Sequence, residues 1–276
     1  MLSKIRIPGS LKARITLFML VIFVASLWSL TLYASRMLRQ DMQQQLSEQQ
    51  LAVVSFIARA ADAHLHERIQ ALTLLANSIG PEAMADSAGL QHLLDSQPLL
   101  PSLFSGGVLI TRADGTAVAE TPRALGRTGV NFIDRAAVAM AMKDGQTVVG
   151  TPVMDKRMAV PVIGIAAPIR DATGHSIGTL AGVIALRNAD FLDQLTQSPY
   201  GKTGSYFLVA RQERLIIAAT KKERIMQPLP PRGTTAAIDR FIDGFEGSQV
   251  YINPKGIEVM GSARRMTAVD WGVAAS

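Results

Sequence analysis

The 276-residue chain contains no cysteine, so neither a disulfide framework nor a cysteine-ligated metal centre holds its fold. Histidine is scarce as well. His64, His66, His92 and His175 are dispersed, and the first two, two apart on an expected helix, point to different faces, so no metal site is expected. No acid precedes Asp41, no charge of either sign falls between Ile15 and Ser35, and neither glycine nor proline occurs from Arg36 to Ile79. Machinery for catalysis is also missing. Gly201-Lys-Thr-Gly204 is like a phosphate loop, but Thr196 stands where that loop needs its first glycine. The carboxylates show no acid–base pairing, so the reading is a non-enzymatic chain without a cofactor.

What is present begins with Ile15–Ser35, an uncharged apolar run long enough at about 1.5 Å per residue to cross a bilayer core of roughly 30 Å. A cleavable signal peptide would have a shorter apolar stretch and small residues at its end, whereas Arg36, Met37 and Leu38 follow here. Trp28 and Tyr33 suit an interfacial belt. The net charge is +6, of which Lys4, Arg6, Lys12 and Arg14 supply +4, leaving +2 for the remainder. That distribution calls for no nucleic-acid surface. It satisfies the positive-inside rule, placing residues 1–14 in the cytoplasm and everything after Arg36 outside, in the periplasm of a Gram-negative cell.

Residues 36–80 read as a stem helix stopped by Gly80-Pro81, with an apolar stripe through Leu38, Met42, Leu46, Val53, Phe56, Ala60, Ala63, Ile69, Leu72, Leu75 and Ile79. A short helix at Leu90–Asp95 leads to strands. Residues 107–111 and 116–119 form a hairpin about Asp114-Gly115, Asn131 caps a helix to Lys143, and strands follow at 147–150, 159–169 and 177–186. A helix near Ala189–Leu195 and a turn at Ser198–Gly201 then mark a boundary. The pattern recurs in reduced form, with strands at 205–210, 215–219, 249–252 and 257–263 and a helix at 236–241. Trp271–Ser276 reads as the start of another strand without a cap, so more chain is expected to follow. The expected fold is α+β: a transmembrane helix, a long stem helix and two antiparallel-sheet modules in tandem, at 81–197 and 198–276.

Candidate ligand contacts are the charges where a sheet-and-helix pocket would open: Arg127, Asp134, Arg135, Asp155, Lys156, Arg157 and Asp171. An arginine fork matches carboxylate or phosphate groups. Arg135, at a helix start facing the sheet, is the first candidate for an anionic small molecule. Ala25 and Ser29 give the anchor a small-xxx-small pair for close approach of a second copy, and Lys221–Arg224 reads as a solvated turn.

These segments resemble the double Cache (dCache) extracytoplasmic sensor domains of bacterial signalling receptors. The resemblance runs from Arg36 to Ser276 and rests on the stem, Val108-Leu-Ile-Thr-Arg-Ala-Asp-Gly115, Asp134-Arg135 and Gly150-Thr-Pro-Val153. It is also carried by Ala167-Pro-Ile-Arg-Asp-Ala-Thr-Gly174 with Ile177-Gly-Thr-Leu-Ala-Gly-Val183, and by Tyr200-Gly-Lys-Thr-Gly-Ser-Tyr-Phe-Leu-Val209. It implies two PAS-like modules, of which 81–197 is membrane-distal and binds the ligand, and a second transmembrane helix leading to a cytoplasmic output domain. Arg135 matches the arginine of the family's Asp-Arg-Asp-Tyr-Phe stretch. Ala136, Ala137 and Val138 stand where its aromatic wall would follow, and Arg127-Thr-Gly-Val130 does not reproduce the Arg-x-Trp-Tyr run of the amino-acid-binding subgroup. The overall texture is closest to sensors with diguanylate cyclase or phosphodiesterase outputs, with histidine kinases and chemoreceptors as other outputs. The apolar stripe of the stem and the Ala25/Ser29 pair lead to the expectation of a homodimer joined through the stem and transmembrane helices. A membrane-tethered scaffold whose outer domains bind another protein is the alternative class, and a polar pocket containing Arg135 would discriminate against it.

Overall fold

The computed structural model describes residues 11–155, 157–188, 204–254 and 256–276. The helix expected near Ala189–Leu195, the turn at Ser198–Gly201 and Lys156 lie outside them. Helix α1 spans Leu11–Asn77, as a segment free of glycine and proline and rich in Ala, Leu, Gln and Met dictates. Its residues 14–46 are all exposed, and it is the helix among the described residues that is long and apolar enough to cross a membrane.

From Gln50 onward the chain forms a compact unit around two antiparallel sheets. The buried face of α1 runs through Gln50, Val54, Ile57, Ala58, Ala61, Leu65, Arg68, Leu72 and Ala76, and Ile79 just after the helix is buried too. The face is rotated from the stripe expected from hydropathy: Phe56 is 63% exposed and Ala63 is exposed too. The polar Gln50 and Arg68 disguised the true face, because both are buried and bonded. Gln50 accepts from the Ser262 hydroxyl, and Arg68 donates from Nε to the Leu103 carbonyl at 2.8 Å. Ala58 and Ala61 lie on the same face, where small side chains permit close approach.

Pro81 opens the short helix α2 (Pro81–Ala85), where its missing N–H costs nothing. Helices α3 (Ser87–Asp95) and α4 (Leu100–Leu103) lead into the first sheet. Its strands are β1 (Val108–Arg112), β2 (Ala117–Thr121), β3 (Val148–Val149), β4 (Val153–Asp155), β5 (Val160–Arg170) and β6 (Ser176–Ala185). They are ordered β2-β1-β6-β5-β3, with β4 also on β5. Gly115, at φ +85°, makes the tight turn between β1 and β2. The sheet is apolar on both faces, as the unbroken hydrophobic runs of β5 and β6 require. Ile110, Ile163, Ile165, Leu180 and Ile184 pack into the core that includes α1, whereas Leu109, Ala117, Ala166 and Ala181 pack beneath α5 (Ala136–Asp144).

Helix α5 starts later than expected. Asn131 is not its cap: the side chain accepts from the Ile133 N–H and donates to the Asp114 carbonyl, tying the loop to the β1–β2 turn. The chain then stays non-helical through Arg135, which is itself the N-cap residue, and Phe132 drops into the core below the helix.

The second sheet comprises β7 (Tyr206–Ala210), β8 (Leu215–Ala219), β9 (Gly247–Ile252), β10 (Glu258–Arg265) and β11 (Trp271–Ala275), ordered β8-β7-β11-β10-β9. Helix α6 (Ala236–Ile242) packs against it through Phe241, as α5 does on the first sheet. The terminal apolar segment is the central strand β11, paired with both β7 and β10.

A charged cavity under helix α5

A cavity of about 200 Å³ lies between the start of α5 and the sheet. It exists because residues facing one another across this gap are small: Ala136 and Ala137 on the helix, Gly150 just after β3, Gly164 on β5 and Ala181 on β6. Arg127, Asp134, Arg135 and Asp155, four of the candidates from sequence, line it together.

The Arg135 fork is ion-paired with two carboxylates but hydrogen-bonded to neither. Its Nη2 stands 3.6 Å from Asp155 Oδ2 and its Nε 4.0 Å from Asp134 Oδ1, both beyond hydrogen-bond reach, and its side chain is 30% exposed. Asp155 is held in place from its other oxygen, Oδ1, which accepts the N–H groups of Arg157 and Met158 at 2.8 and 2.9 Å. Helix α5 has no side-chain cap, so the first N–H groups, on Ala136, Ala137 and Val138, lack intrahelical partners where those residues border the cavity. The helix dipole adds positive potential at the same place.

Arg127 is buried and paired with an acid that the sequence reading passed over. Glu120, at the end of β2, accepts from Arg127 Nε at 3.1 Å and from the Arg127 backbone N–H at 2.7 Å. Arg127 Nη1 donates to the Gly106 carbonyl at 2.9 Å, and Nη2 is buried without a hydrogen bond among the described residues. Burial lowers the Arg127 pKa, opposed by the hydrogen bond and charge of Glu120. A charged residue ending an apolar strand before Pro122 looks like a surface position. Its only sequence signal is the opposite charge of Arg127 across a turn-forming segment.

The remaining candidates lie outside the cavity lining. Arg157 is exposed and donates from Nη1 to the Gly126 carbonyl at 2.7 Å, tying the β4–β5 turn to the loop that carries Arg127. Asp171 sits at the far end of β5, where it accepts from the Thr173 hydroxyl and from the N–H groups of Thr173 and His175 to shape the β5–β6 turn. The Thr173 hydroxyl, with these N–H groups, holds its carboxyl below the usual range. The next residues, Gly174-His-Ser-Ile-Gly178, have the spacing of a hydrolase nucleophile elbow, which corrects the expectation that the sequence holds no Gly-x-Ser-x-Gly motif. Ser176 opens an antiparallel strand rather than a strand-to-helix turn, and His175 pairs with Thr173, so the catalytic context is missing. Among the described residues no group of side chains could hold a metal ion.

Residues 38–276 match the family model of the Cache domain, of the double type (dCache). The chain belongs to the Cache domain family. A search of curated proteins found no match. Among solved structures, this Cache protein is similar to the ligand-binding domain of the Pseudomonas aeruginosa PAO1 amino acid chemoreceptor PctB in complex with L-Arg. The TM-score is 0.65 and the identity 21%, over 84% of this chain and 94% of that one. The ligand-binding domain of the Pseudomonas fluorescens chemoreceptor CtaA with L-serine gives 0.63 and 20%, over 86% and 97%. The sensor domain of the Vibrio cholerae (V. cholerae) histidine kinase DctB gives 0.62 and 12%, over 85% and 97%. At these identities the likeness is one of fold. The Cache family is one of sensor ligand-binding domains, and the tandem-sheet architecture with an apolar N-terminal helix fits it.

Proposed function

We propose that this chain is the sensory input region of a membrane receptor, with the cavity under α5 taking a small extracytoplasmic ligand that brings an anionic group to Arg135. The observation that carries the reading is the convergence on one cavity of the Arg135 fork, the uncapped start of α5 and the buried Arg127. Asp155 and Asp134 supply negative charge beside them, so a ligand with both a carboxylate and an amino group also finds partners. The bound ligands named for PctB and CtaA support that reading, while Arg127-Thr-Gly-Val130, which lacks the Arg-x-Trp-Tyr run of the amino-acid-binding subgroup, sets this cavity apart. On this reading residues 81–197 are the membrane-distal module and 198–276 the proximal one.

The stem lies on the opposite face of the first sheet from the cavity, so a signal must cross the sheet. Thr147, three residues before the cavity-lining Gly150, has its hydroxyl 2.7 Å from that of Thr73 on α1. Because Thr73 donates to the Ile69 carbonyl, Thr147 is the donor in this pair. A ligand shifts the stem only by its differential affinity for two arrangements of such contacts. Exposed Phe56, with Ala52, Arg59 and Ala63 on the same side, suits a homodimer through the stem. The anchor is an inner-membrane helix with its N-terminus cytoplasmic, and we assign cyclic-di-GMP turnover as the output on the sequence resemblance. The coding sequence after Ser276 tests the output. A thermal-shift screen of small metabolites on the full chain in detergent tests the input: at least one stabilising hit is expected, and a broad screen without one contradicts the sensor reading.

A further inference from the structure

We infer that the wall of the cavity formed by β5 and β6 is an apolar compartment for the body of the ligand, and that Gly164 sets how large that body can be. The inference rests on the reading of the cavity as a ligand site. Side chains alternate along β5: Ile163 and Ile165 enter the core shared with α1, whereas Val162 and Gly164 face the cavity. Ala181 and Val183 of β6 complete this wall, and Ala137 of α5 faces it. None of these side chains carries a polar atom, while the charged side chains of the lining stand elsewhere: Arg127, Asp134 and Arg135 on the segment that leads into α5, and Asp155 at the end of β4. The cavity therefore has a charged side and an aliphatic side. Its chemistry fits a compact molecule with an ionic head and a short hydrocarbon body.

The two glycines of the cavity differ. A Cβ added at Gly150 would stand 3.0 Å from Ala137 Cβ and 3.2 Å from the Ala137 nitrogen, so it would displace the start of α5. A Cβ at Gly164 meets only Ala137 Cβ, at 3.8 Å, an ordinary contact. The added methyl thus occupies ligand space and leaves the walls where they are. Gly164 has no positive φ either, so alanine fits its backbone.

The test uses the full chain in detergent, wild type and Gly164→Ala, with two kinds of probe. Dissolved xenon reports the apolar compartment without any head group, read from the methyl resonances of Ala137 and Val162. Saturable shifts in the wild type that weaken about tenfold or more in the variant, with an unchanged or higher Tm, are expected. Unshifted methyls in the wild type, or equal binding in the variant, overturn the inference. The second probe is a series of straight-chain carboxylates and their 2-amino derivatives of increasing length. A cut-off shortened by about one carbon in the variant is expected, since a single methylene decides binding in a tight apolar pocket. Equal weakening of every member overturns the size limit. Xenon binding without binding of any carboxylate leaves the compartment standing and removes the anion-headed reading.

Discussion

Removing the Glu120 carboxylate should be among the most damaging single changes in the first sheet. The side chains of Glu120 and Arg127 are only 3% and 5% exposed, so neither charge can be neutralised by water once its partner is gone. Glu120→Ala strands a buried guanidinium and also removes the acceptor of the Arg127 backbone N–H. Breaking one side of a buried pair in this way costs about 3–5 kcal/mol. Glu120→Gln keeps the shape and one acceptor oxygen, and should cost less, about 1.5–3 kcal/mol, the worth of a charged hydrogen bond. Combining Glu120→Leu with Arg127→Met removes both charges, and should recover about 2 kcal/mol or more relative to Glu120→Ala, because apolar replacement of a whole buried pair is close to neutral. Urea unfolding followed by the fluorescence of Trp271, in a Trp28→Phe background, measures each step. A cost below about 1 kcal/mol for Glu120→Ala, or a double variant less stable than the single one, would refute the reasoning.

Two further outcomes follow from other contacts. Gly182→Ala would place a methyl 2.4 Å from the buried Phe104 ring, so it should lower stability by about 1–3 kcal/mol in thermal denaturation, and Phe104→Leu should relieve much of that loss. The Asp171 carboxyl, held below its usual range mainly by the Thr173 hydroxyl, stabilises the folded state fully above the unfolded pKa of about 4. That contribution is lost as pH falls from there through the lower folded value, so the Tm difference between wild type and Asp171→Asn should shrink in acid; a difference independent of pH would contradict the assignment.

Much of this fold could be read from residue order. The glycine- and proline-free stem, the Asp114-Gly115 hairpin and the strand Leu215–Ala219 follow from propensity and turn chemistry, which act locally. Features that depend on distant partners could not be read so directly. The buried face of α1 includes Gln50 and Arg68, whose partners Ser262 and Leu103 lie far along the chain, so hydropathy found Leu72 and its packed neighbours Val53, Ile69 and Leu75 but misplaced Phe56 and Ala63. Strand β4 is three residues long and pairs only with β5, too short for any alternation to register. At the candidate site the charges were legible as a group, because Arg127, Asp134, Arg135 and Asp155 flank the elements that close over the sheet. Glu120 was not, since its burial depends on the loop folding back over the end of β2. Asp171 looked equivalent to Asp155 in sequence, yet β5 carries it to the opposite end of the sheet.

The central claim is that an anionic group docks at Arg135. It is tested by titrating the leading hit of the metabolite screen into the full chain and into Arg135→Ala by calorimetry. Loss of a charge-assisted hydrogen bond worth about 1.5–3 kcal/mol should weaken binding by about 10- to 150-fold. Equal affinity for wild type and variant would contradict the account.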